Sequence, residues 1–225
     1  MLSAIILAAG QGRRLKTATP KPLIKIGKLS AIVYSLNALD AHPGIDEVIV
    51  VVSTKNRRTI IRQINKFSFK KIVNIVIGGS RRQDSVYNGL KMVSEKSAWV
   101  LIHDSARPFI DGQSIAKVIT AAKKTGAAIL GVPVKATIKS SKFNGLVDRT
   151  LNRANLWEIQ TPQVFRKELI FRAYKKYSTM DVTDDSSLVE KLGNKVKIVS
   201  GSYENVKITT QEDLLFARAI AGRKR

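Results

Sequence analysis

The chain lacks cysteine altogether and has only two histidines among its 225 residues. Without cysteine it can form no disulfide framework, no thiolate metal site and no cysteine nucleophile, and two histidines exclude a histidine-rich metal centre. The apolar run Met1–Ala9 has no basic residues before it and stops at Gly10-Gln11-Gly12, so it is too short for a signal peptide or a membrane span. We therefore expect a cytoplasmic protein with no membrane partner.

Acidic residues are also scarce. Seventeen Asp and Glu stand against 39 Lys and Arg, a net charge of 39 − 17 = +22, which favours binding to nucleic-acid phosphates. No acidic residue occurs between Ser53 and Arg82, yet Ile60, Ile61, Ile64 and Phe67 recur there at helical spacing, which places many of the basic side chains on the outer face of a helix. No helix-turn-helix, zinc-finger or aromatic RNA-binding signature accompanies the charge. We predict no specific nucleic-acid partner and keep a nucleic-acid-binding module as the distant alternative.

Strand and helix patterns alternate along the chain. Apolar runs typical of strands buried on both faces of a mainly parallel sheet occur at 4–7, 48–52, 73–77, 99–102 and 128–132, and a further strand is predicted at 196–200. Helices are predicted at 30–40, 56–67, 83–93, 113–124, 167–176, 184–192 and from 210 onward. Thr183 is the expected N-cap of the sixth helix, with Gly193 just past its end. The alternation predicts one three-layer α/β domain over residues 1–225, whose ligands bind beyond the carboxyl ends of the strands.

Residues 133–161 break this alternation. Their short polar–apolar pattern predicts a protruding β-hairpin arm rather than a crossover helix.

The first strand leads into a glycine-rich loop, Leu7-Ala8-Ala9-Gly10-Gln11-Gly12-Arg13-Arg14-Leu15, and Pro20-Lys21 follows. Small residues let a backbone approach a ligand closely, and successive N–H groups can form an anion nest. A dinucleotide fingerprint needs glycine where Leu15 stands, and a Walker A loop needs a Gly-Lys-Ser/Thr ending that is missing. With these two motifs excluded, the loop can still form an anion nest, and Arg14 and Lys21 are two cations within reach of one phosphate chain. A plain strand-to-loop turn is the alternative.

Two further strand exits carry polar residues. In Gly78-Gly79-Ser80-Arg81-Arg82-Gln83-Asp84-Ser85, the glycine backbone and the Ser85 hydroxyl can hydrogen-bond a base edge, or Ser80 or Asp84 simply caps the next helix. In Ile102-His103-Asp104-Ser105-Ala106-Arg107-Pro108, Asp104 either meets a ligand or satisfies turn amides, and His103 fits a packed strand end.

These motifs occur in a recognisable order. Leu-Ala-Ala-Gly-x-Gly-x-Arg, Pro-Lys, Gly-Gly-x-x-Arg-x-Asp-Ser-Val, His-Asp-x-Ala-Arg-Pro and Thr-Pro-Gln together resemble the 2-C-methyl-D-erythritol 4-phosphate cytidylyltransferases of the non-mevalonate isoprenoid pathway, from Ser3 to about Ile220. The resemblance implies a Rossmann-like sheet of the nucleotidyltransferase (glycosyltransferase-A-like) type with a β-arm. It also implies a homodimer that transfers CMP from CTP to this polyol phosphate, with Mg²⁺ held mainly by the CTP phosphates.

The resemblance assigns roles to particular residues. At the nucleotide it places Ala8, Ala9, Gly10, Gly12, Gly79 and Ser85. The cations that stabilise the transition state would be Arg14 and Lys21. Asp104 would lie near the acceptor and the metal. Thr137 and Arg153 would reach the acceptor phosphate across a dimer, and Lys207 would position that phosphate. Such roles suit the chemistry, since transfer between phosphates is limited by charge crowding and alignment, which cations relieve.

The sequence departs from the family pattern at three positions. Pro22 stands where glutamine is common after Pro-Lys, Ser80 where an acidic residue is frequent, and Ala136 where aspartate often precedes Thr137. The closest alternative is a ribitol 5-phosphate cytidylyltransferase, which resembles Leu-Ala-Gly-Gly at the first loop and carries a different residue after the arm arginine. Here Ala8-Ala9-Gly10 and the run Arg153–Trp157 favour methylerythritol phosphate as the acceptor.

Overall fold

A mostly parallel sheet forms the centre of the molecule, for which a computed structural model describes residues 1–10, 12, 15, 17, 19–142 and 144–223. The strands are β1 (Leu2–Ala8), β2 (Lys25–Ile26), β3 (Leu29–Ser30), β4 (Glu47–Val52), β5 (Ile72–Ile77), β6 (Trp99–Asp104), β7 (Ala127–Pro133), β8 (Lys139–Ser141), β9 (Val147–Thr150), β10 (Trp157–Arg166) and β11 (Lys197–Ser200). Seven of them form the main sheet in the order β11-β7-β10-β6-β1-β4-β5. All its pairings are parallel except those of β10, which runs antiparallel to both β6 and β7.

Helices cover both faces of this sheet. They are α1 (Ala31–Ala41), α2 (Arg57–Ile64), α3 (Arg82–Leu90), α4 (Gly112–Thr125), α5 (Lys167–Lys176), α6 (Ser186–Lys191) and α7 (Gln211–Arg223). One apolar cluster joins the sheet to α1, α2 and α4, and a second joins its other face to α3, α5 and α6. Buried side chains thus alternate between two faces, as Ile5 and Ile6 of β1 do, because successive strand residues point to opposite sides. The predicted three-layer α/β fold is confirmed.

The register of the central strands brings the predicted site loops together. Within the sheet, Ala8 pairs with Val52 and Leu7 pairs with Asp104. The carboxyl ends of β1, β4 and β6 therefore meet at one edge. A third apolar cluster, which contains Leu15, Ile26 and residues of α7, packs beside this edge.

Most predicted elements are present, and three local predictions differ from the structure. The second helix was predicted over 56–67 and ends at Ile64, and the third was predicted over 83–93 and ends at Leu90; both lead into turns. The predicted Thr183 N-cap is wrong, because α6 begins only at Ser186 and it is Asp184 that accepts the backbone N–H of Ser187. Gly193, predicted to follow this helix, has φ +79.

The segment 133–161 contains the two-stranded sheet β8–β9. The strand pattern of its last residues, from Trp157 onward, continues into β10 of the main sheet. Across the described ranges, the longest helix is α4 with 14 residues. No helix there has the length and hydropathy needed to span a bilayer.

Candidate active site

The loop after β1 folds closely against a lysine. Gly12 has φ +71, a backbone conformation that suits glycine. A Cβ at this position would lie 2.6 Å from Cγ of Lys21. Lys21 opens a short 3-10 turn, Lys21–Leu23, directly after Pro20. Glycine is therefore required at position 12 for two reasons: the backbone has a positive φ, and the Lys21 side chain packs where a Cβ would lie. Arg14, the other predicted cation of this loop, lies outside the described residues.

The loop after β5 is shaped by Ser85 of α3. The Ser85 hydroxyl accepts the backbone N–H of Gly79 at 3.1 Å and donates to the carbonyl of Arg81 at 3.2 Å. A Cβ on Gly78 would lie 2.6 Å from Ser85 Oγ and 2.8 Å from Cβ of Ala9. The two glycine loops therefore approach each other so closely that a side chain at Gly78 would not fit without a shift of its neighbours. Ser85 holds the second loop in place, and its predicted contact with a base stays a prediction.

Asp104, the last residue of β6, forms ion pairs with two cationic side chains. Its Oδ2 lies 2.5 Å from Nζ of Lys207, and its Oδ1 lies 3.2 Å from Nε of Arg82. Burial alone would raise the pKa of Asp104, but Arg82 and Lys207 outweigh burial and hold the pKa well below its usual range. The group is therefore a carboxylate, with a side chain only 10% exposed.

A chain of hydrogen bonds fixes the backbone behind Asp104. Its N–H donates to Oγ1 of Thr161 at 3.0 Å, and this hydroxyl lies 3.1 Å from Nδ1 of His103. The other ring nitrogen, Nε2, lies 3.1 Å from the carbonyl of Arg107, which can only accept. Nε2 therefore carries the proton and Nδ1 accepts from Thr161. Burial lowers the pKa of His103 to about 4, so the ring is neutral near pH 7. The packed strand end predicted for His103 is confirmed, since the residue is fully buried.

One cavity of about 630 Å³ gathers most of the predicted site residues. The predicted residues that line it are Ala9, Gly10, Gly12, Lys21, Gly79, Ser85, Asp104 and Lys207. The glycine loops and Lys21 offer N–H groups and a cation, and Asp104 and Lys207 form a second polar group. Such a set can hold a phosphate chain beside a second anionic ligand.

A second cavity, of about 820 Å³, adjoins the first. Both are lined by Arg82, Asp104 and Lys207, so this charged group forms the wall between them. Thr161 and Arg107 also line the second cavity.

Three predicted residues lie away from both cavity walls. Ala8 is fully buried within β1, and its carbonyl accepts Nδ2 of Asn56 at 2.9 Å. Thr137 and Arg153 are exposed at the base of the β8–β9 hairpin. There the guanidinium of Arg153 donates to the carbonyl of Lys135 at 2.6 Å.

Several residues at the site were not predicted to act there. Asn56, predicted only as a helix start, ties the end of β1 to the exit of β4 through its contacts with Ala8 and the N–H of Ser53. Arg82 and Thr161 both occur within the motifs that carry the family resemblance, the signal that could have identified them. Their partners lie far along the chain, so the sequence alone does not reveal what they contact.

Carboxylate ligands for a metal are sparse at this edge of the sheet. Within the described part of the chain, no group of three or more His, Asp or Glu side chains is arranged to hold a metal ion. Asp104 offers one carboxylate to the cavity, paired with two cations. Mg²⁺ commonly binds through one or two carboxylates together with substrate phosphates and water. The donor set therefore fits a metal held mainly by a phosphate ligand.

Comparison with known proteins agrees with this geometry. The family profile described as 2-C-methyl-D-erythritol 4-phosphate cytidylyltransferase (IspD) matches residues 2–223. Proteins of that name from Pelotomaculum thermopropionicum and Shouchella clausii are 42% and 44% identical to the chain. Each alignment covers 97% of this chain, and they cover 93% and 95% of the two relatives.

Solved structures give the same result. The 4-diphosphocytidyl-2C-methyl-D-erythritol synthase from Anaerococcus prevotii superposes with a TM-score of 0.87 at 38% identity, over 99% of this chain and 98% of that one. The 2-C-methyl-D-erythritol 4-phosphate cytidylyltransferase from Thermus thermophilus superposes with a TM-score of 0.80 at 28% identity, over 99% and 100%. The predicted resemblance, fold type and enzyme class are confirmed. The chain belongs to the 2-C-methyl-D-erythritol 4-phosphate cytidylyltransferase family, whose members make 4-diphosphocytidyl-2-C-methyl-D-erythritol from CTP.

Proposed function

We propose that CTP binds in the 630 Å³ cavity and that the phosphate of 2-C-methyl-D-erythritol 4-phosphate meets it at Asp104 and Lys207. A single observation carries this assignment: the two glycine loops with Lys21, and the Asp104–Lys207 pair, line one continuous cavity. The second cavity, behind the same pair, offers space for the polyol.

The reaction is an in-line displacement. An acceptor phosphate oxygen forms a bond to the α-phosphorus of CTP while the bond from that phosphorus to the bridging oxygen breaks, and pyrophosphate leaves with the electron pair. The nucleophile is already anionic, so no side chain has to remove a proton. The barrier comes from bringing anions together in line, and fixed cations lower it. In this proposal Lys21 and Arg14 face the CTP phosphates, and Lys207 faces the acceptor phosphate.

The cytosine would lie beside Gly79, and the ribose beside Ala9. The contact between the two glycine loops supports this arrangement, because a narrow space next to rigid backbone favours a pyrimidine over a purine. Ser85 would act there by holding the N–H of Gly79 in place.

Mg²⁺ is part of the proposal. When bound, it would neutralise charge on the CTP phosphates. Asp104 is the residue at the cavity that could share in holding it. In this proposal the cationic side chains of the protein, and not the metal, align the acceptor phosphate with the leaving pyrophosphate group of CTP.

The homodimer is also proposed, with the β8–β9 hairpin as the shared element. Leu146, which directly precedes β9, and Val147, the first residue of β9, are 65% and 60% exposed, and a second copy would cover them. Arg153 lies outside its own chain's cavities, which supports a role in the partner's site. We also propose a cytoplasmic location for the protein. We propose no specific nucleic-acid partner.

Initial-rate assays of pyrophosphate release test the assignment. We expect turnover with CTP, Mg²⁺ and methylerythritol phosphate, and much slower turnover with ribitol 5-phosphate. Lys207→Ala should raise the acceptor KM by about tenfold or more, since it removes a charged contact to phosphate, while the CTP KM changes little. Lys66→Ala, a change at an exposed lysine outside the cavities, is the matched control. Equal or faster turnover with ribitol 5-phosphate, or a normal acceptor KM in Lys207→Ala, would contradict the proposal.

A further inference from the structure

Arg82, the first residue of α3, bridges two carboxylates. Its NH1 and NH2 groups donate to Asp185 at 3.0 and 2.9 Å, and its Nε donates to Asp104 at 3.2 Å. The two carboxylates come from different elements, since Asp104 ends β6 and Asp185 directly precedes α6. The guanidinium thus joins three elements at the wall between the two cavities.

The contact with Asp185 fixes the guanidinium from behind. Asp185 is fully buried and also accepts the hydroxyl of Tyr174 at 2.5 Å. A two-point pairing of this kind holds the planar group in one orientation. Burial by itself would lower the pKa of Arg82, but Asp185 and Asp104 raise it well above its ordinary value. Arg82 is therefore a cation, and its Nε edge faces Asp104.

The two cations on Asp104 differ in their freedom to move. The Lys207 side chain is 40% exposed and lies on a long flexible stem, whereas the Arg82 side chain is 28% exposed and tied to Asp185. Only Lys207 can turn toward an incoming phosphate. When it does, the buried carboxylate of Asp104 would lose its remaining direct ion pair if Arg82 were absent, and Arg107 would act on it only from a greater distance. A buried charge without a direct partner is strongly unfavourable.

We infer that Arg82 is a positioning residue for the transfer reaction: it stays on Asp104 as a fixed counter-ion and so frees Lys207 to bind the acceptor phosphate. This inference rests on the proposed function, in which Lys207 contacts that phosphate. Arg82 itself need touch no substrate. Its effect should appear in acceptor binding rather than in nucleotide binding.

Kinetics of Arg82→Gln separate this role from general damage. Without the fixed counter-ion, Asp104 should retain Lys207, so we expect the acceptor KM to rise by about tenfold while the CTP KM stays within about threefold. Arg58→Gln, which removes an exposed arginine of α2, should leave both values unchanged. An equal rise in both KM values would show that Arg82 serves only the fold.

A double-mutant cycle with Asp104→Asn isolates the pair. The loss of the Arg82–Asp185 contact is common to both backgrounds and cancels in the cycle. With no carboxylate to hold Lys207, Arg82→Gln should change the acceptor KM by no more than about twofold in the Asp104→Asn background. The same large rise in both backgrounds would overturn the inference.

A second neutral variant guards against a folding failure. If circular dichroism shows that Arg82→Gln does not fold, the cycle is run with Arg82→Met, which also removes the charge, and the same difference between backgrounds is required. Arg82→Lys keeps a cation but loses the fork, so its acceptor KM should lie close to that of the wild type. A wild-type enzyme that fails to release pyrophosphate with the acceptor, or a normal acceptor KM in Lys207→Ala, would instead refute the proposed function.

Discussion

The side chain of Lys21 lies directly against the backbone of Gly12, where even one added carbon would come within 2.6 Å of Lys21 Cγ. The loop that is proposed to hold the CTP phosphates and the lysine that is proposed to stabilise their transfer are thus one packed unit. A substitution at the glycine should act through the lysine.

Gly12→Ala is therefore expected to lower kcat by about tenfold or more, because the new Cβ must displace Lys21 and the positive φ adds about 1 kcal/mol of strain. Gly126→Ala is the control. Its glycine has φ +86 after α4, but an added Cβ there meets nothing within 4 Å. This variant should lose a similar amount of stability, measured by urea unfolding, and keep its kcat. Equal kcat values for the two variants would disprove the coupling to Lys21.

Direct removal of the loop cations gives a second prediction. Lys21→Ala and Arg14→Ala should each lower kcat by about 10²-fold or more, the usual effect of losing one fixed charge-stabilising donor. Steady-state assays at saturating CTP and acceptor measure this. Near-normal kcat in either folded variant would contradict a transition-state role. An effect confined to KM would indicate ordinary substrate binding.

His103 makes stability depend on pH. Its folded pKa of about 4 lies below the ordinary 6.5 because burial disfavours the charged ring. The unfolded chain therefore binds more protons between these values, so this contribution to stability is fully present above pH 6.5 and is lost as the pH falls toward 4. The loss should be about 3 kcal/mol, from 1.36 kcal/mol per unit of pKa shift.

Urea unfolding between pH 7.5 and 4 measures this contribution. His103→Gln should lower the free energy of unfolding at neutral pH. Below pH 6.5 this free energy should then fall less steeply with decreasing pH than it does in the wild type. The control is His42→Gln, since His42 is the only other histidine of the chain. Burial lowers the pKa of His42 as well, but that residue is only partly buried, so its substitution should change the decline less. If the free energy of unfolding of both variants falls below pH 6.5 with the same slope as that of the wild type, the pH dependence does not come from His103.

Local patterns were sufficient to predict most of the fold. The apolar runs of β1, β4 and β7 are long, and α5 begins and ends where its pattern does. The pattern did not reveal β10, because Pro162 argues against a central strand. In the structure, the pairing of β10 with β7 shifts register between Ile159 and Gln163, so the missing N–H of the proline falls where no regular ladder bond is needed.

The candidate site was predictable only where it is local. Each glycine loop is read from its own short stretch of chain, the first together with Lys21, and the family resemblance places Asp104 and Lys207. The Arg82–Asp185 pair joins residues 103 positions apart, and the Asp104–Thr161 hydrogen bond spans 57. Such contacts depend on how the strands and helices pack, which no local pattern encodes.

The dimer prediction can be tested by mixing inactive chains. If Lys21 acts in its own chain's site and Arg153 acts in the partner's, a Lys21→Ala chain paired with an Arg153→Ala chain has one doubly damaged site and one intact site. Each variant alone should be nearly inactive. Random reassortment of equal amounts should restore roughly a quarter of wild-type activity, because half of the closed dimers are mixed and each has one working site of two.

A second mixture provides the control. Lys207 lines the same chain's cavity as Lys21, so a Lys21→Ala chain paired with a Lys207→Ala chain has one damaged lysine in each site, and mixing should raise the activity no higher than the average of the two variants measured alone. Native mass spectrometry confirms that the chains exchange in both mixtures. Recovery in the first mixture alone would show that Arg153 crosses the interface while Lys207 does not. If the first mixture exchanges and stays inactive, Arg153 does not act in the partner's site.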